Sequence, residues 1–131
     1  MKITRFEDIE AWKASRKLSL LIEEITSART FRREAELRNH LRRAARSAMA
    51  NIAEGFDSGT DREFTRFLRI SRRSATEVQS HLYSALDQGV IAQREFDRAY
   101  GSAEDVKRLV GGFVRYLARG RGLRTEDRGL Q

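Results

Sequence analysis

The chain has 131 residues, the size of one ordinary domain, and is long enough to bury a single core without disulfides or metal ions. It contains no cysteine, which excludes a disulfide framework and a thiolate metal site and fits a reducing compartment. The residues before Trp12 lack the apolar run of a signal peptide, and no later stretch is apolar for the roughly 18 residues that a membrane span needs. The sequence therefore predicts a soluble, cytoplasmic protein without a membrane partner.

Positive charge is concentrated in two stretches of the sequence. The 26 lysine and arginine residues, 22 of which are arginine, exceed the 19 acidic residues and give a net charge of +7. Residues 29–46 carry +5 and residues 62–73 carry +4, so the rest of the chain carries −2. This clustering indicates a polyanionic partner. The alternative is that arginine merely takes the place of lysine on solvated helix faces.

Apolar residues at helical spacing predict a first helix that ends near Thr26. Thr4 or Asp8 is expected to cap its N-terminus, because Thr4 and Glu7 have the spacing of a capping box. The residues from 27 to 33 lack this period and are expected to connect two helices. The apolar stripe of helix one is predicted to consist of Ala11, Ala14, Leu18, Leu21 and Ile25.

A second helix is predicted from about Arg33 to Gly55, whose lack of a side chain suits a left-handed C-cap. Two polar residues near its end are expected to be structural: Asn51 satisfies amides of the following turn, and Glu54 pairs with an arginine of helix three. A polar ligand site is the alternative for this pair. The buried stripe is predicted to be Leu37, Leu41, Ala44, Ala45, Ala48 and Ile52. The opposite side carries Arg38, Arg42, Arg43 and Arg46.

The clearest helix start in the sequence is Thr60, because Glu63 follows it at capping-box spacing. The third helix has an apolar seam, predicted from alternating steps of four and three residues. A row of arginines lies across the helix from this seam, and Gly89 is expected to end the helix with a left-handed C-cap. The seam consists of Phe64, Leu68, Ser71, Ala75, Val78, Leu82 and Ala85. The row consists of Arg62, Arg66, Arg69 and Arg73.

A fourth helix is predicted from about Gln93 to Leu117 by apolar residues at steps of three and four. Gly111 and Gly112 weaken this helix, so we expect them to serve close packing. Four helices with short connections predict an all-α fold, an antiparallel up-down-up-down four-helix bundle. Residues 1–118 are expected to form this domain, and residues 119–131, which lack an apolar period, a basic and mobile tail.

Several apolar residues lie off the core stripes of helices one, three and four. They exceed what one bundle core needs, so they are predicted to be buried between copies of the chain in a homo-oligomer. Trp12 is the expected anchor of this interface, because large aromatic residues dominate interface energetics. The predicted interface residues are Ile9, Trp12, Leu20, Phe67, Ile70, Leu109 and Tyr116.

Three parts of the sequence resemble a known family. The stretch FEDIEAW at residues 6–12, NIAEG at residues 51–55, and EF with RFL within residues 63–68 are similar to the four-helix bundle proteins encoded in 23S rRNA intervening sequences. The resemblance implies an antiparallel bundle that assembles as a homopentamer, has no established enzymatic activity and acts with RNA. A related branch, the accessory variability determinants of diversity-generating retroelements, implies a reverse transcriptase as a partner.

No catalytic motif is visible in the sequence, which lacks a P-loop, a glycine-rich dinucleotide turn and a cysteine nucleophile. The two histidines, His40 and His81, lie far apart in sequence, and each is expected to be structural or at the surface. We therefore predict a non-enzymatic protein without a catalytic residue, metal ion or cofactor. It is expected to bind nucleic acid, RNA in particular, through the eight arginines named above on helices two and three. The alternative is a protein-interaction scaffold that docks a reverse transcriptase.

Overall fold

The computed structural model describes residues 3–120, and these contain six helical segments and no strand. Two segments are single 3-10 turns, Phe6–Asp8 and Arg29–Phe31. The α-helices are α1 (Glu10–Thr26), α2 (Ala35–Phe56), α3 (Asp61–Asp87) and α4 (Gln93–Ala118). The predicted all-α fold with four helices is therefore confirmed. No helix in residues 3–120 combines the length and hydrophobicity needed to cross a bilayer. Most of the predicted tail, residues 121–131, lies outside the described residues.

The four helices share one hydrophobic core. The helix α1 packs against α2 and α4, and α3 packs against the same two helices. Every residue of the predicted stripes of α2 and α3 is buried, as expected when each helix turns one apolar face inward. In α1 the predicted Ala14 and Leu21 are only half-buried, and Ser15 and Ile22 are buried as well.

The start of α1 differs from the prediction. Neither Thr4 nor Asp8 caps the helix: residues 6–8 form a 3-10 turn, and Ile9 takes the N-cap position without a side-chain hydrogen bond. Ile9 lies in the core, where 1% of its surface is exposed. The prediction that Ile9 is buried between copies of the chain is therefore wrong, because this residue is already buried within a single chain.

The connection between α1 and α2 is mostly polar in sequence but contains one residue of the core. Phe31, at the end of the second 3-10 turn, is fully buried. Its amide donates to the carbonyl of Ala28 at 3.0 Å, and its carbonyl accepts from the amide of Glu34 at 2.9 Å. Because this turn extends toward residue 34, α2 begins at Ala35 rather than at Arg33.

The two ends of α3 are as predicted. The Thr60 hydroxyl accepts a hydrogen bond from the amide of Glu63 at 3.2 Å, so Thr60 is the N-cap. At the other end Gly89 has a φ of +75°, and the amide of Val90 donates to the carbonyl of Ala85 at 3.0 Å. This is the hydrogen bond of a Schellman C-cap, in which a left-handed glycine satisfies carbonyls of the last turn.

Gly55 is not the predicted left-handed C-cap. It lies inside α2, and the left-handed residue of the connection to α3 is Gly59, with a φ of +102°. A Cβ on Gly55 would lie 2.7 Å from the Cβ of Phe67 and 2.9 Å from the Cδ1 of Phe64. Glycine is therefore required at position 55 by the close approach of α2 to α3. The conformation of the turn does not require it there.

Asn51 and Glu54 also lie inside α2, because the helix continues to Phe56. The Asn51 amide donates to the carbonyl of Ser47 at 2.8 Å and to its hydroxyl at 3.0 Å. The Ser47 hydroxyl in turn lies 2.8 Å from that of Ser74 on α3. Asn51 thus takes part in a polar contact between α2 and α3 instead of satisfying turn amides. Glu54 is exposed and forms no ion pair within residues 3–120, so its predicted pairing is also wrong.

Replacing Gly55 by alanine should destabilise the fold. The added Cβ would overlap Phe64 and Phe67, so we expect the free energy of unfolding to fall by about 1–3 kcal/mol, although alanine favours a helix by about 1 kcal/mol. Gly101→Ala is the matched control, because Gly101 is exposed in α4 and a Cβ there meets no atom within 4 Å. The control should leave stability unchanged or raise it slightly. Chemical denaturation measures both, and equal stabilities of the two variants would contradict the close approach.

Candidate nucleic-acid interface

Four arginines form a row along the outer face of α3. Arg62, Arg66, Arg69 and Arg73 are all exposed, whereas the seam residues on the other side of the helix are buried. Burial of the seam fixes the rotation of α3, so packing holds the row outward. From the first to the last of these arginines the helix rises about 16 Å, at about 1.5 Å per residue. The predicted row is therefore a line of exposed cations.

One member of the row is oriented by its neighbours. The guanidinium group of Arg66 donates to the Glu63 carboxylate at 3.1 Å. It also lies over the ring of Phe67, 4.6 Å from the ring centre, at the distance of a cation–π contact. Both contacts are at the surface, so they orient the arginine while leaving it exposed to an anion.

Two of the four α2 arginines are turned toward α1. The Nε of Arg42 donates to the Thr26 hydroxyl at 2.8 Å and lies 3.1 Å from the Glu23 carboxylate. Arg46 pairs with the same carboxylate at 3.2 Å. Only 23% of the Arg42 side chain is exposed, so this residue mainly links α1 to α2. Phosphate binding by Arg42 and Arg46 stays a prediction, and it would compete with these contacts.

The remaining predicted arginines form no ion pair with any residue in the described range 3–120. Five of the eight have no carboxylate within 4.0 Å among residues 3–120. Of these five, one is half-buried and four are exposed. They are Arg38, which is the half-buried one, Arg43, Arg62, Arg69 and Arg73. The unpaired positive charge of the predicted surface is therefore concentrated on α3.

A second basic surface lies between α3 and α4, next to the row. It is a groove of about 660 Å³, which we call the α3/α4 groove. Among residues 3–120, five cations and a single carboxylate, Glu104, line it. The cations are Arg69, Arg72, Lys107, Arg108 and Arg115. Arg69 also lines a second depression along the row, so the two surfaces adjoin at this residue.

The sequence pattern marks only Arg69 among the cations of this groove. Arg72 lies within the +4 stretch, yet it is on a different side of α3 from the row. Arg108 and Arg115 come from a part of the sequence with no marked excess of positive charge. Their spacing of seven residues does place them on one side of α4. The spacing does not show which neighbouring helix this side of α4 faces.

A buried glutamine organises one wall of the α3/α4 groove. Gln79, of which 5% is exposed, donates to the Glu104 carboxylate at 2.7 Å and accepts from the Lys107 ammonium at 3.1 Å. Lys107 also pairs with Glu104 at 3.4 Å. The pKa of the Glu104 carboxyl is lowered, chiefly by the hydrogen bond from Gln79. Desolvation is the next largest cause and opposes this shift, whereas the charge and hydrogen bond of Lys107 and the charge of Arg72 add to it. The only carboxylate lining the groove within residues 3–120 is thus held ionised by this network.

The two histidines, which lie far apart in sequence, lie side by side in the fold. The ring centroids of His40 on α2 and His81 on α3 are 5.2 Å apart, and the Nε2 of His81 is 3.2 Å from the Glu77 carboxylate. Their positions in the sequence could have predicted this contact. His40 is 17 residues before Asp57 and His81 is 21 residues after Thr60, so the two lie at similar distances from the short turn that joins α2 to α3. Within residues 3–120 no three His, Cys, Asp or Glu side chains form a group suited to a metal ion.

Most of the predicted interface residues contact their own chain. Leu20 is the most exposed of them, with 60% of its surface open. Trp12 packs edge-on against Phe6, with ring centroids 5.1 Å apart. The half-buried members of the set are Trp12, Phe67, Ile70, Leu109 and Tyr116. Burial between copies stays a prediction for these residues, and Leu20 offers the most open apolar surface among them.

Comparison with known protein families gives a match over most of the chain. The model of the 23S rRNA-intervening sequence protein family matches residues 7–112, which are 106 of the 131 residues. The matched part begins in the first 3-10 turn and ends within α4, so it includes the whole row. Arg115 is the cation of the α3/α4 groove that lies beyond it. No curated protein sequence matches the chain.

Replacing Arg42 by glutamine should destabilise the fold, because the change removes the hydrogen bond to Thr26 and the ion pair with Glu23. The expected loss is about 1–2 kcal/mol in the free energy of unfolding. Arg43→Gln is the matched control, because Arg43 is exposed and its replacement should change stability by less than about 0.5 kcal/mol. Thermal denaturation compares the two variants. If both had the same small effect, Arg42 would not link α1 to α2.

Proposed function

The chain belongs to the 23S rRNA-intervening sequence protein family, and on this premise we propose that it is a non-enzymatic protein that binds RNA through exposed arginines. The observation that carries the proposal is the row of arginines on α3, which burial of the seam holds outward. A polyanion that approaches this face meets a preset line of cations. The row is the centre of the proposed surface, and Arg38 and Arg43 on α2 extend it.

Arginine is suited to this role by its chemistry. Its planar guanidinium group binds phosphate through two parallel hydrogen bonds and can stack on unpaired bases. Contacts to phosphate carry no sequence information. Leu20 and Tyr83 are the exposed large apolar residues within residues 3–120, so this part of the chain offers no cluster of exposed aromatic rings on which bases could stack. We therefore expect binding that depends on charge and shape, with little preference for RNA sequence.

Assembly is the second part of the proposal. His40 contacts His81 near one end of α2, and Gly55 contacts Phe67 near the other, which supports an antiparallel arrangement of α2 and α3. Short connections extend this to an up-down-up-down bundle. The family resemblance implies a homo-oligomer, a pentamer in particular. Such an assembly would present one row on each copy of the chain, so a long polyanion could bind several rows at once and with higher avidity.

The row is tested by replacing Arg62, Arg66 and Arg73 together with glutamine, which removes three charges but leaves the seam intact. Arg69 is kept because it also lines the α3/α4 groove. If the row binds phosphates of single-stranded RNA, log K falls with log salt by about 0.7 per phosphate, so the slope should shrink by about two units in this variant. Fluorescence anisotropy of labelled RNA at several salt concentrations measures the slope. The melting temperature of the variant and the mass of its assembly should equal those of the unaltered protein.

The matched control replaces three exposed arginines outside the proposed surface. These are Arg16, Arg32 and Arg94, which have no ion pair within residues 3–120. Both triple variants lose the same charge, so a difference between them reports where the charge lies. The arginines beyond the described residues are replaced by glutamine in every protein compared: Arg121, Arg124 and Arg128. An equal decrease of the salt slope in both triple variants would refute RNA binding by the row. No RNA binding by the unaltered protein would favour the alternative, a scaffold for a protein partner such as a reverse transcriptase.

Light scattering at micromolar concentration should give a mass several times 15.1 kDa. Leu20→Gln should reduce this mass, because it makes the most exposed predicted interface residue polar. The change should alter the stability of the single chain by less than about 0.5 kcal/mol. Leu20→Met keeps the apolar surface and serves as the control. Trp12 is a less suitable probe because it also packs against Phe6. A monomeric mass for the unaltered protein would end the assembly proposal.

A further inference from the structure

The α3/α4 groove holds more positive charge than the acidic side chains of residues 3–120 neutralise. Of its cations, Lys107 is joined to Glu104 and Gln79, and Arg108 lies 3.5 Å from the Asp105 carboxylate. The other three have no carboxylate within 4.0 Å among residues 3–120. These three are Arg69, Arg72 and Arg115. Like charges around one opening repel each other, and an anion bound between them removes this repulsion.

Gly111 leaves part of the groove wall without a side chain. A Cβ at this position would meet no atom nearer than the Nη1 of Arg115, at 3.6 Å, which is an ordinary contact. The close packing expected of Gly111 is therefore not found within the described part of the chain, although glycine weakens a helix relative to alanine. Glycine does allow a ligand to approach the helix backbone closely. The groove thus combines guanidinium groups that have no acidic partner within residues 3–120 with a part of the wall that carries no side chain.

We infer that the α3/α4 groove binds the phosphodiester backbone of single-stranded RNA, an inference that rests on the proposed function. Because Arg69 lies in both surfaces, a strand in the groove continues onto the row. The axes of packed helices lie only about 8–10 Å apart, so we expect the groove along their contact to take a single strand. A duplex is wider than this spacing and reaches only the row. The RNA that fits the groove is therefore a loop, a bulge or an end, where the strand is unpaired.

Adding a carboxylate to the groove wall tests this inference in the full-length protein. Gly111→Glu places a negative charge among the unpaired arginines, where it should compete with phosphate. With labelled oligouridine as the probe, anisotropy should show about tenfold weaker binding and a salt slope smaller by about 0.7 for each phosphate that the groove no longer binds. An RNA duplex of the same length should bind this variant as it binds the control.

Gly101→Glu is the matched control, because Gly101 lies in the same helix, is exposed and has room for a Cβ. It makes the same chemical change away from the groove, so its affinity for oligouridine should stay within about twofold of the unaltered protein. Melting curves show whether both variants fold. If Gly111→Glu does not fold, Arg72→Gln combined with Arg115→Gln replaces it, with Arg16→Gln combined with Arg94→Gln as the control.

Equal affinity and equal salt slope for oligouridine in Gly111→Glu and Gly101→Glu would overturn the inference. A site for a small anion would also overturn it: calorimetry would then show that Gly111→Glu loses binding of inorganic tripolyphosphate but keeps binding of oligouridine. If the triple replacement in the row weakens RNA binding and Gly111→Glu does not, the groove inference fails and the proposed function stands. If the unaltered protein binds no RNA, both fail.

Discussion

The close approach of α2 to α3 is the constraint on which the rest of the structure depends. It requires small residues, since Gly55 has no room for a Cβ. Hydroxyl groups complete the contact: Ser71 donates to the carbonyl of Ala48 at 2.7 Å, and the hydroxyls of Ser47 and Ser74 lie 2.8 Å apart. Buried polar groups with partners are tolerated, and their directional bonds orient the two helices. This contact sets the rotation of α3 and therefore what its outer face presents.

The rotation of the helices decides which arginines have an acidic partner within residues 3–120. Arg42 and Arg46 share the Glu23 carboxylate and join α1 to α2, whereas three arginines of the row have no such partner within residues 3–120. Electrostatics therefore favours α3 and the adjoining side of α4 over α2 as the location of the proposed RNA-binding surface. Charge counts along the sequence can predict the row, because its members share one helix. They cannot predict the α3/α4 groove, whose cations come from two helices, nor which arginines are paired.

The parts of the fold that depend on local sequence can be predicted. The stripes of α2 and α3 and the cap at Thr60 follow from periodicity and from a hydrogen bond between near neighbours. Predictions fail where a distant contact decides the outcome. Glycine is common in turns, which favours a turn at Gly55, but Phe67 in the next helix determines the role of this residue. Ile9 and Phe31 do not fit the helical period, yet both are buried. Ile9 directly follows the first 3-10 turn and Phe31 ends the second, and these turns place the two side chains in the core.

The paired glycines of α4 make its last turns the less stable part of that helix. Gly111 and Gly112 each lower helix stability by about 1 kcal/mol relative to alanine, and neither is tightly packed within the described chain. The segment that follows them, up to Ala118, should open locally at a lower free energy than the first half of α4, and its amide hydrogens should exchange sooner with solvent. Arg115 lies in this segment. We therefore expect one wall of the α3/α4 groove to move more readily than the rest of the core, which would let the width of the groove adjust to the proposed RNA strand.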